Sequence, residues 1–190
     1  MKKLSVSTLG TFIATGLMLL SGCGSPKYHG TKDDIAKSYA LERYGMRVAK
    51  EQNMQLLIVG NVTDCNEIDY CLTLRSFQKL NLNQGRILAA NHMENFLKML
   101  KSSPEVKEYL VLCHAELLYT PTEVLVDNIA YKIAFWDENI NRPEKPYLAE
   151  ILFADKAFHY FQADPQTQAL QLVFQEPYES ALEFRNKTKN

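Results

Sequence analysis

The sequence predicts an α+β fold in which helices pack on one face of an antiparallel sheet. Three features of the 190 residues support this prediction. Apolar residues recur at helical spacing in two stretches of the first half, and branched or aromatic residues alternate along strand-like stretches in the last third. The first two strand-like stretches are joined by too few residues for the crossover that parallel strands need. Because strands and helices come in separate runs, an antiparallel sheet is favoured.

The first helix is expected over residues 32–52. Thr31 lies three residues before Asp34, which is typical of a capped helix start with an acid in the first turn. The side chains that follow have the spacing of one apolar stripe: Ile35, Tyr39, Met46 and Ala49.

A β-hairpin is expected after this helix. Residues 54–62 are rich in branched apolar side chains, and residues 68–77 alternate as an antiparallel partner would. The polar residues 63–67 would form the connection between the two strands.

Two further helices are predicted in the middle of the chain. Asn81 and Gln84 resemble a capping pair that opens the first of them. The buried stripe of this helix would consist of Leu82, Ala89, Met93, Phe96 and Leu100. Pro104 would begin a short helix that is capped by Ser103 and ends at residue 112. The pattern assigns no state to residues 115–123.

The last third predicts four strands and a closing helix. The strands are expected at residues 129–136, 147–153, 157–161 and 170–175. Residues 137–146 would form a polar loop, and residues 164–167 a turn. Pro177 would set the first turn of a helix that continues to residue 185.

The amino terminus has the layout of a secretory signal. Lys2 and Lys3 precede an apolar segment at residues 9–20, which is followed by small residues. A helix rises about 1.5 Å per residue, so a dozen residues fall short of the roughly 20 that a membrane span needs. The segment is therefore not expected to remain as a span.

The motif Leu20-Ser21-Gly22-Cys23 resembles the lipobox of bacterial lipoprotein precursors. The resemblance covers the first two dozen residues. It implies that a signal peptide of residues 1–22 is removed and that Cys23 then carries a diacylglycerol and usually an acylated amino terminus. Two or more acyl chains hold a protein stably at a membrane. The alternatives are an ordinary cleaved signal and an uncleaved anchor.

Removal of the signal would leave 168 residues, which suits one domain with its own core. Residues 23–30 are expected to be the lipidated cysteine and a flexible tether, and residues 31–190 a single globular domain. Cleavage would remove two lysines and no acid, which takes the formal net charge from −1 to −3. Nucleic-acid binding is therefore not expected. Gly24 stands where lipoproteins kept on the inner membrane commonly have Asp, which favours the outer membrane in a double-membraned bacterium.

The order of elements in the mature chain also resembles an uncharacterised group of small secreted or lipid-anchored bacterial domains. The shared features are the long first helix, the hairpin, the helix opened near Asn81, residues 104–110 and the ending at residues 176–182. This resemblance covers most of the mature chain and implies no particular activity.

Cys65 and Cys71 are a candidate disulfide pair in an oxidising envelope. They bracket five residues at the mouth of the predicted hairpin. A bridge across so small a loop would stabilise the fold by about 2 kcal/mol. The alternative is two buried, reduced cysteines, because strand ends often place such side chains too far apart. Pairing of Cys113 with either of them is a further alternative.

Local candidates for catalysis or metal binding are few. Cys113 and His114 are adjacent, but neighbours diverge by about 100° on a helix and point to opposite faces of a strand, so both are expected to pack or cap. No ligand spacing typical of zinc sites and no catalytic fingerprint occurs, so no metal or cofactor is expected. His92 is expected to be solvated on its helix, and His159 to lie on a strand surface.

Aromatic residues are dense on the predicted strands of the last third, and most are expected in the core. Because each strand has two faces, Trp136, Phe158 and Tyr160 cannot all point the same way as their neighbours. An exposed aromatic sheet face containing these three residues is therefore predicted as a candidate binding surface.

Taken together, these features favour a non-enzymatic binding, accessory or interaction domain that a lipid on Cys23 holds in the cell envelope. Its expected partners are the membrane, through the anchor, and another envelope protein, a peptide or a glycan. The competing interpretation is an envelope enzyme, hydrolytic or thiol-dependent, whose catalytic residues are dispersed along the chain. A structural spacer is a third interpretation.

Overall fold

The centre of the fold is a six-stranded sheet in which the strands lie side by side in chain order. The computed structural model describes residues 32–64, 67–117, 124 and 126–188. The strands are β1 (Met54–Asp64), β2 (Glu67–Ser76), β3 (Ile129–Phe135), β4 (Glu150–Ala154), β5 (Ala157–Ala163) and β6 (Leu170–Pro177). All neighbouring pairs are antiparallel except β2 and β3, which are parallel.

Four α-helices accompany the sheet in the described part of the chain. They are α1 (Lys32–Glu51), α2 (Leu82–Ser102), α3 (Pro104–Leu117) and α4 (Tyr178–Thr188), and a short 3-10 turn spans Val126–Asn128. Helices α2 and α3 lie within the connection from β2 to β3. Since this connection is long enough for a crossover, β2 and β3 can run in parallel. The α+β prediction is confirmed, but the expectation that every strand pair is antiparallel is wrong at this one pair.

The helices cover one face of the sheet, as expected. On β3 the side chains of Ile129, Tyr131, Ile133 and Phe135 are buried, whereas the alternating Ala130 and Lys132 are half-buried. The core cluster that contains the four buried residues also includes Leu41 of α1, Phe96 of α2 and Ala181 of α4. Because successive strand residues point to opposite faces, the second face of the sheet stays partly exposed.

The predicted helix starts are confirmed where local hydrogen bonds determine them. The Gln84 amide donates to Asn81 Oδ1 and the Asn81 amide donates to Gln84 Oε1, each at 3.0 Å. This reciprocal pair is a capping box. At the start of α3, the Val106 amide donates to Ser103 Oγ at 3.4 Å. Ser103 lies directly before Pro104, which occupies the first helical position.

Several boundaries differ from the predicted ones. Helix α3 continues past residue 112 to Leu117, and both hairpin strands extend into the predicted connection at 63–67. Strand β4 begins at Glu150 rather than at residue 147, because the Tyr147 amide donates to the Glu144 carbonyl in a turn and not to a strand. The Leu148 amide donates to the Leu80 carbonyl at 2.8 Å, which seats this loop against the start of α2.

Candidate functional site

A cleft of about 680 Å³ lies between α1 and α2. Small-molecule sites in proteins commonly have volumes of roughly 300–1,000 Å³, so the cleft is of suitable size for a ligand. The two helices meet at its base, where the Tyr44 ring of α1 stacks on the Phe96 ring of α2 with centroids 5.4 Å apart. This aromatic contact holds the two helix faces together below the opening.

The lining residues lie on one face of each helix. From α2 they are Leu88, Asn91, His92, Asn95, Lys98, Met99 and Ser102, and from α1 they include Tyr44, Arg47, Val48 and Glu51. Their spacing of three and four residues is the spacing at which helix side chains share a face. The cleft is therefore built by two regular helices, and its shape follows from how these helices pack on the sheet.

His92 lies at the floor of the cleft. Its Nδ1 atom is 2.6 Å from the hydroxyl oxygen of Tyr131, a residue of β3 that is buried in the core. Burial lowers the pKa of His92 to about 4, so the imidazole is neutral at pH 7. Burial also raises the pKa of Tyr131 well above its ordinary value, so its hydroxyl keeps its proton. The pair is thus an uncharged hydrogen bond between α2 and the sheet.

Tyr44 and Arg47 form the α1 side of the cleft. Tyr44 is buried, and this burial raises its pKa to about 12 despite the opposing charge of Arg47. The guanidinium carbon of Arg47 lies 5.4 Å from the centroid of the Tyr44 ring, within the range of a cation–π contact. Arg47 is exposed, so its charge lies near the opening of the cleft while the tyrosine stays neutral below it.

The chemistry of the cleft is that of polar recognition. Two cations, Arg47 and Lys98, face one carboxylate, Glu51, and the amides of Asn91 and Asn95 add further polar groups. A catalytic base must contact a nucleophile or a substrate proton, and it is usually oriented by a third group. The contact described for His92 is to a tyrosine hydroxyl in the core, which fixes the ring without activating a nucleophile.

The expectation that His92 is a solvated side chain is wrong, since only 7% of it is exposed. The polar neighbours Asn91 and Asn95 suggested a water-facing position. However, His92 lies three residues after Ala89 and four before Phe96, both of which belong to the predicted buried stripe. That spacing is the sequence signal that could have identified it.

The predicted aromatic binding surface does not form as expected. Phe158 and Tyr160 of β5 are fully buried in the core, because their face of the sheet is the one that the helices cover. Trp136 follows β3 and is half-buried, with the guanidinium carbons of Arg75 and Arg142 at 5.5 and 5.8 Å from its ring centroid. The three residues therefore do not share a surface, and the prediction is wrong for Phe158 and Tyr160.

The predicted lipidation site Cys23 and the predicted signal and tether lie outside the described residues. Cys65 also lies outside them, while Cys71 is half-buried in β2, opposite Gly60 of β1 and Ala130 of β3. The Cys65–Cys71 bridge stays a prediction.

The other predicted candidates are dispersed. Cys113 and His114 belong to α3, where neighbouring residues diverge, and their side chains lie outside the described residues. His159 is half-buried on β5, opposite Leu152 of β4. Within the described ranges, no group of three or more His, Cys, Asp or Glu is placed to hold a metal ion.

None of the helices in the described part of the chain combines the length and the apolar character needed to cross a bilayer. Comparison of the chain with protein-family models, with curated proteins and with solved structures found no match.

Proposed function

We propose that this protein is a lipid-anchored, non-enzymatic binding protein of the bacterial cell envelope. The observation that carries the binding role is the cleft between α1 and α2, which has the size of a ligand site and is lined mainly by polar groups. The lipobox-like sequence ending at Cys23 supports the anchor and the location. The ligand is a molecule of the envelope, such as a peptide or a glycan, or part of another envelope protein.

Two features of the cleft support binding over catalysis. His92 is held by Tyr131 and stays neutral, so it acts as a fixed hydrogen-bonding group. The stacked rings of Tyr44 and Phe96 give the floor a rigid base, which lowers the entropy lost when a ligand binds. A preformed polar cleft of this kind can retain a solute without acting on it.

The anchor is tested in the native bacterium with an alkyne-tagged fatty acid. We expect wild-type protein to incorporate the label and to sediment with membranes, and Cys23→Ala to lose both properties. Cys71→Ala is the matched control, and it should keep the label and the membrane location. Label on the Cys23→Ala protein, or wild-type chain in the soluble fraction with residues 1–22 attached, would contradict the anchor.

The binding role is tested by equilibrium dialysis of the mature chain, residues 23–190 in detergent, against small molecules extracted from envelopes. Mass spectrometry should find solutes that wild-type protein retains and that Asn95→Trp loses, because a bulky ring at this exposed lining position fills the cleft. Glu108→Trp, at an exposed position of α3, should retain them. If the Asn95→Trp and wild-type proteins retain the same solutes, the cleft is not the binding site.

A further inference from the structure

The two ring nitrogens of His92 have different surroundings. Nδ1 contacts the Tyr131 hydroxyl at 2.6 Å, and the side chains of His92 and Tyr131 form no other hydrogen bond among the described residues. Tyr131 is 1% exposed, whereas His92 lines the cleft. The nitrogen that is left for a ligand is therefore Nε2.

The position of the proton on the ring follows from the needs of Tyr131. Its buried hydroxyl has one acceptor among the described residues, which is Nδ1 of His92. If Nδ1 carried the proton, the hydroxyl proton would have no acceptor, and leaving a buried donor unsatisfied is costly. The tyrosine therefore donates to Nδ1, and the neutral ring carries its proton on Nε2. His92 presents an uncharged N–H donor to the cleft.

The neighbouring groups are also mainly donors. The side-chain oxygen of Asn91 accepts from Arg185 Nη1 at 3.2 Å, so its NH₂ group is what remains for a ligand. Arg47 and Lys98 carry donors only, and their two positive charges exceed the one negative charge of Glu51. The ligand that matches this set is an acceptor with negative charge.

We propose that the cleft between α1 and α2 binds a small organic carboxylate, with the Nε2–H group of His92 as the uncharged donor at its floor and Arg47 and Lys98 as the cations at its opening. This inference rests on the proposed function of the cleft, and it adds the charge of the ligand and the tautomer of the histidine. Hydrogen bonds from cations to carboxylates are about twice as strong as neutral ones, so the cations supply affinity while His92 supplies position.

The ligand is tested with acetate, succinate and citrate, and with dimethyl succinate as the uncharged counterpart. Titration of the mature chain in detergent should show saturable binding of at least one acid and none of the ester. Arg47→Gln should weaken this binding at least tenfold, whereas Lys50→Gln, an exposed lysine of α1 outside the cleft, should leave it unchanged. Equal binding of acid and ester, or of the wild-type and Arg47→Gln proteins, would overturn the proposal, and so would binding of inorganic phosphate with no acid bound.

The tautomer is tested without any ligand by long-range ¹H–¹⁵N NMR of histidine-labelled protein. We expect the His92 signals to show a protonated Nε2 and an unprotonated Nδ1 at pH 7. Tyr131→Phe removes the hydroxyl that sets this tautomer, so it should produce a mixture of both forms and weaken acid binding several-fold. A proton on Nδ1 in the wild-type protein would overturn the assignment of His92 as the donor.

These outcomes separate this inference from the proposed function. Suppose that wild-type protein retains an uncharged solute, that Asn95→Trp loses this solute, and that no acid binds. The cleft would then remain a binding site, but its selectivity for carboxylates would be refuted. Acid binding that survives Asn95→Trp would refute the cleft itself.

Discussion

Arg86 and Glu176 form a two-point ion pair that joins α2 to the edge strand β6. The Arg86 Nε donates to Oε1 at 2.8 Å and Nη2 to Oε2 at 2.5 Å. Glu176 is 4% exposed and also accepts from the Tyr160 hydroxyl at 2.9 Å. The guanidinium carbon of Arg86 lies 3.6 Å from the centroid of the Phe184 ring of α4. One arginine thus connects α2, β6 and α4.

Arg86→Ala should lower the free energy of unfolding by about 3–5 kcal/mol, because it leaves the buried carboxylate of Glu176 without its cationic partner and with the Tyr160 hydroxyl as the remaining donor. Urea denaturation at pH 7, followed by circular dichroism, measures this change. Arg43→Ala is the matched control, since Arg43 pairs with Glu105 at 3.1 Å but its side chain is 66% exposed. We expect a loss below about 1 kcal/mol for the control. Equal losses for the two variants would show that burial of the pair has no effect.

Asn81→Ala should lower the free energy of unfolding by about 1 kcal/mol, because it removes the side-chain acceptor of the capping box at the start of α2. Asn83→Ala changes the same residue type two positions later, at an exposed helical site. There alanine has the higher helix propensity, so the control should be neutral or slightly stabilising. The two variants are compared by thermal unfolding, and a loss of the same size in both would contradict the role of the cap.

The features that were predicted correctly depend on short stretches of chain. The two residues of the capping box, Asn81 and Gln84, are three positions apart in the sequence. The start of α3 is set by the neighbouring residues Ser103 and Pro104. Such signals can be read from the sequence because the residues that make the contact are adjacent. The alternation of apolar side chains along β3 is equally local, and the alternating set that begins at Ile129 is buried.

The features that were missed depend on long-range packing. Phe158 and Tyr160 share one face of β5, and the alternating His159 and Phe161 share the other, so aromatic residues occur on both faces. Only the position of the helices decides which face becomes core. The cleft has the same origin, because His92 and Tyr131 are 39 residues apart in sequence and meet only when α2 packs on β3.

Arg185→Ala should destabilise the protein by about 1–2 kcal/mol. Arg185 of α4 is 6% exposed, and its Nη1 donates to Glu94 Oε2 of α2 at 2.6 Å, but the Glu94 side chain is 52% exposed, so water can solvate the carboxylate that the variant leaves behind. Lys187→Ala is the control on the same helix, because Lys187 and its partner Glu183 are both exposed and 3.9 Å apart. Its change should stay below about 0.5 kcal/mol. Chemical denaturation of both variants checks the difference, and a control loss as large as that of Arg185→Ala would contradict it.

The stability of the protein should fall as the pH drops from about 6.5 towards 4, because of His92. Its pKa in the folded protein is about 4, below the ordinary value of 6.5. Between these two values the unfolded chain binds a proton that the folded chain does not, so protonation favours unfolding. The contribution of the neutral His92 to stability is complete above pH 6.5. A pKa difference of this size between the folded and unfolded states lowers the free energy of unfolding by about 2 kcal/mol by pH 5.

This pH dependence is measured by urea denaturation at pH 7, 6 and 5 on the wild-type protein and on His92→Gln. The substitution removes the titrating group and leaves the other three histidines in place, so the loss of stability between pH 7 and pH 5 should be about 2 kcal/mol smaller in the variant. Because the comparison is between slopes, it holds even where His92→Gln lowers stability at every pH. Parallel pH profiles for the two proteins would show that His92 is not kept neutral by the fold, and would remove the basis for an uncharged donor at the floor of the cleft.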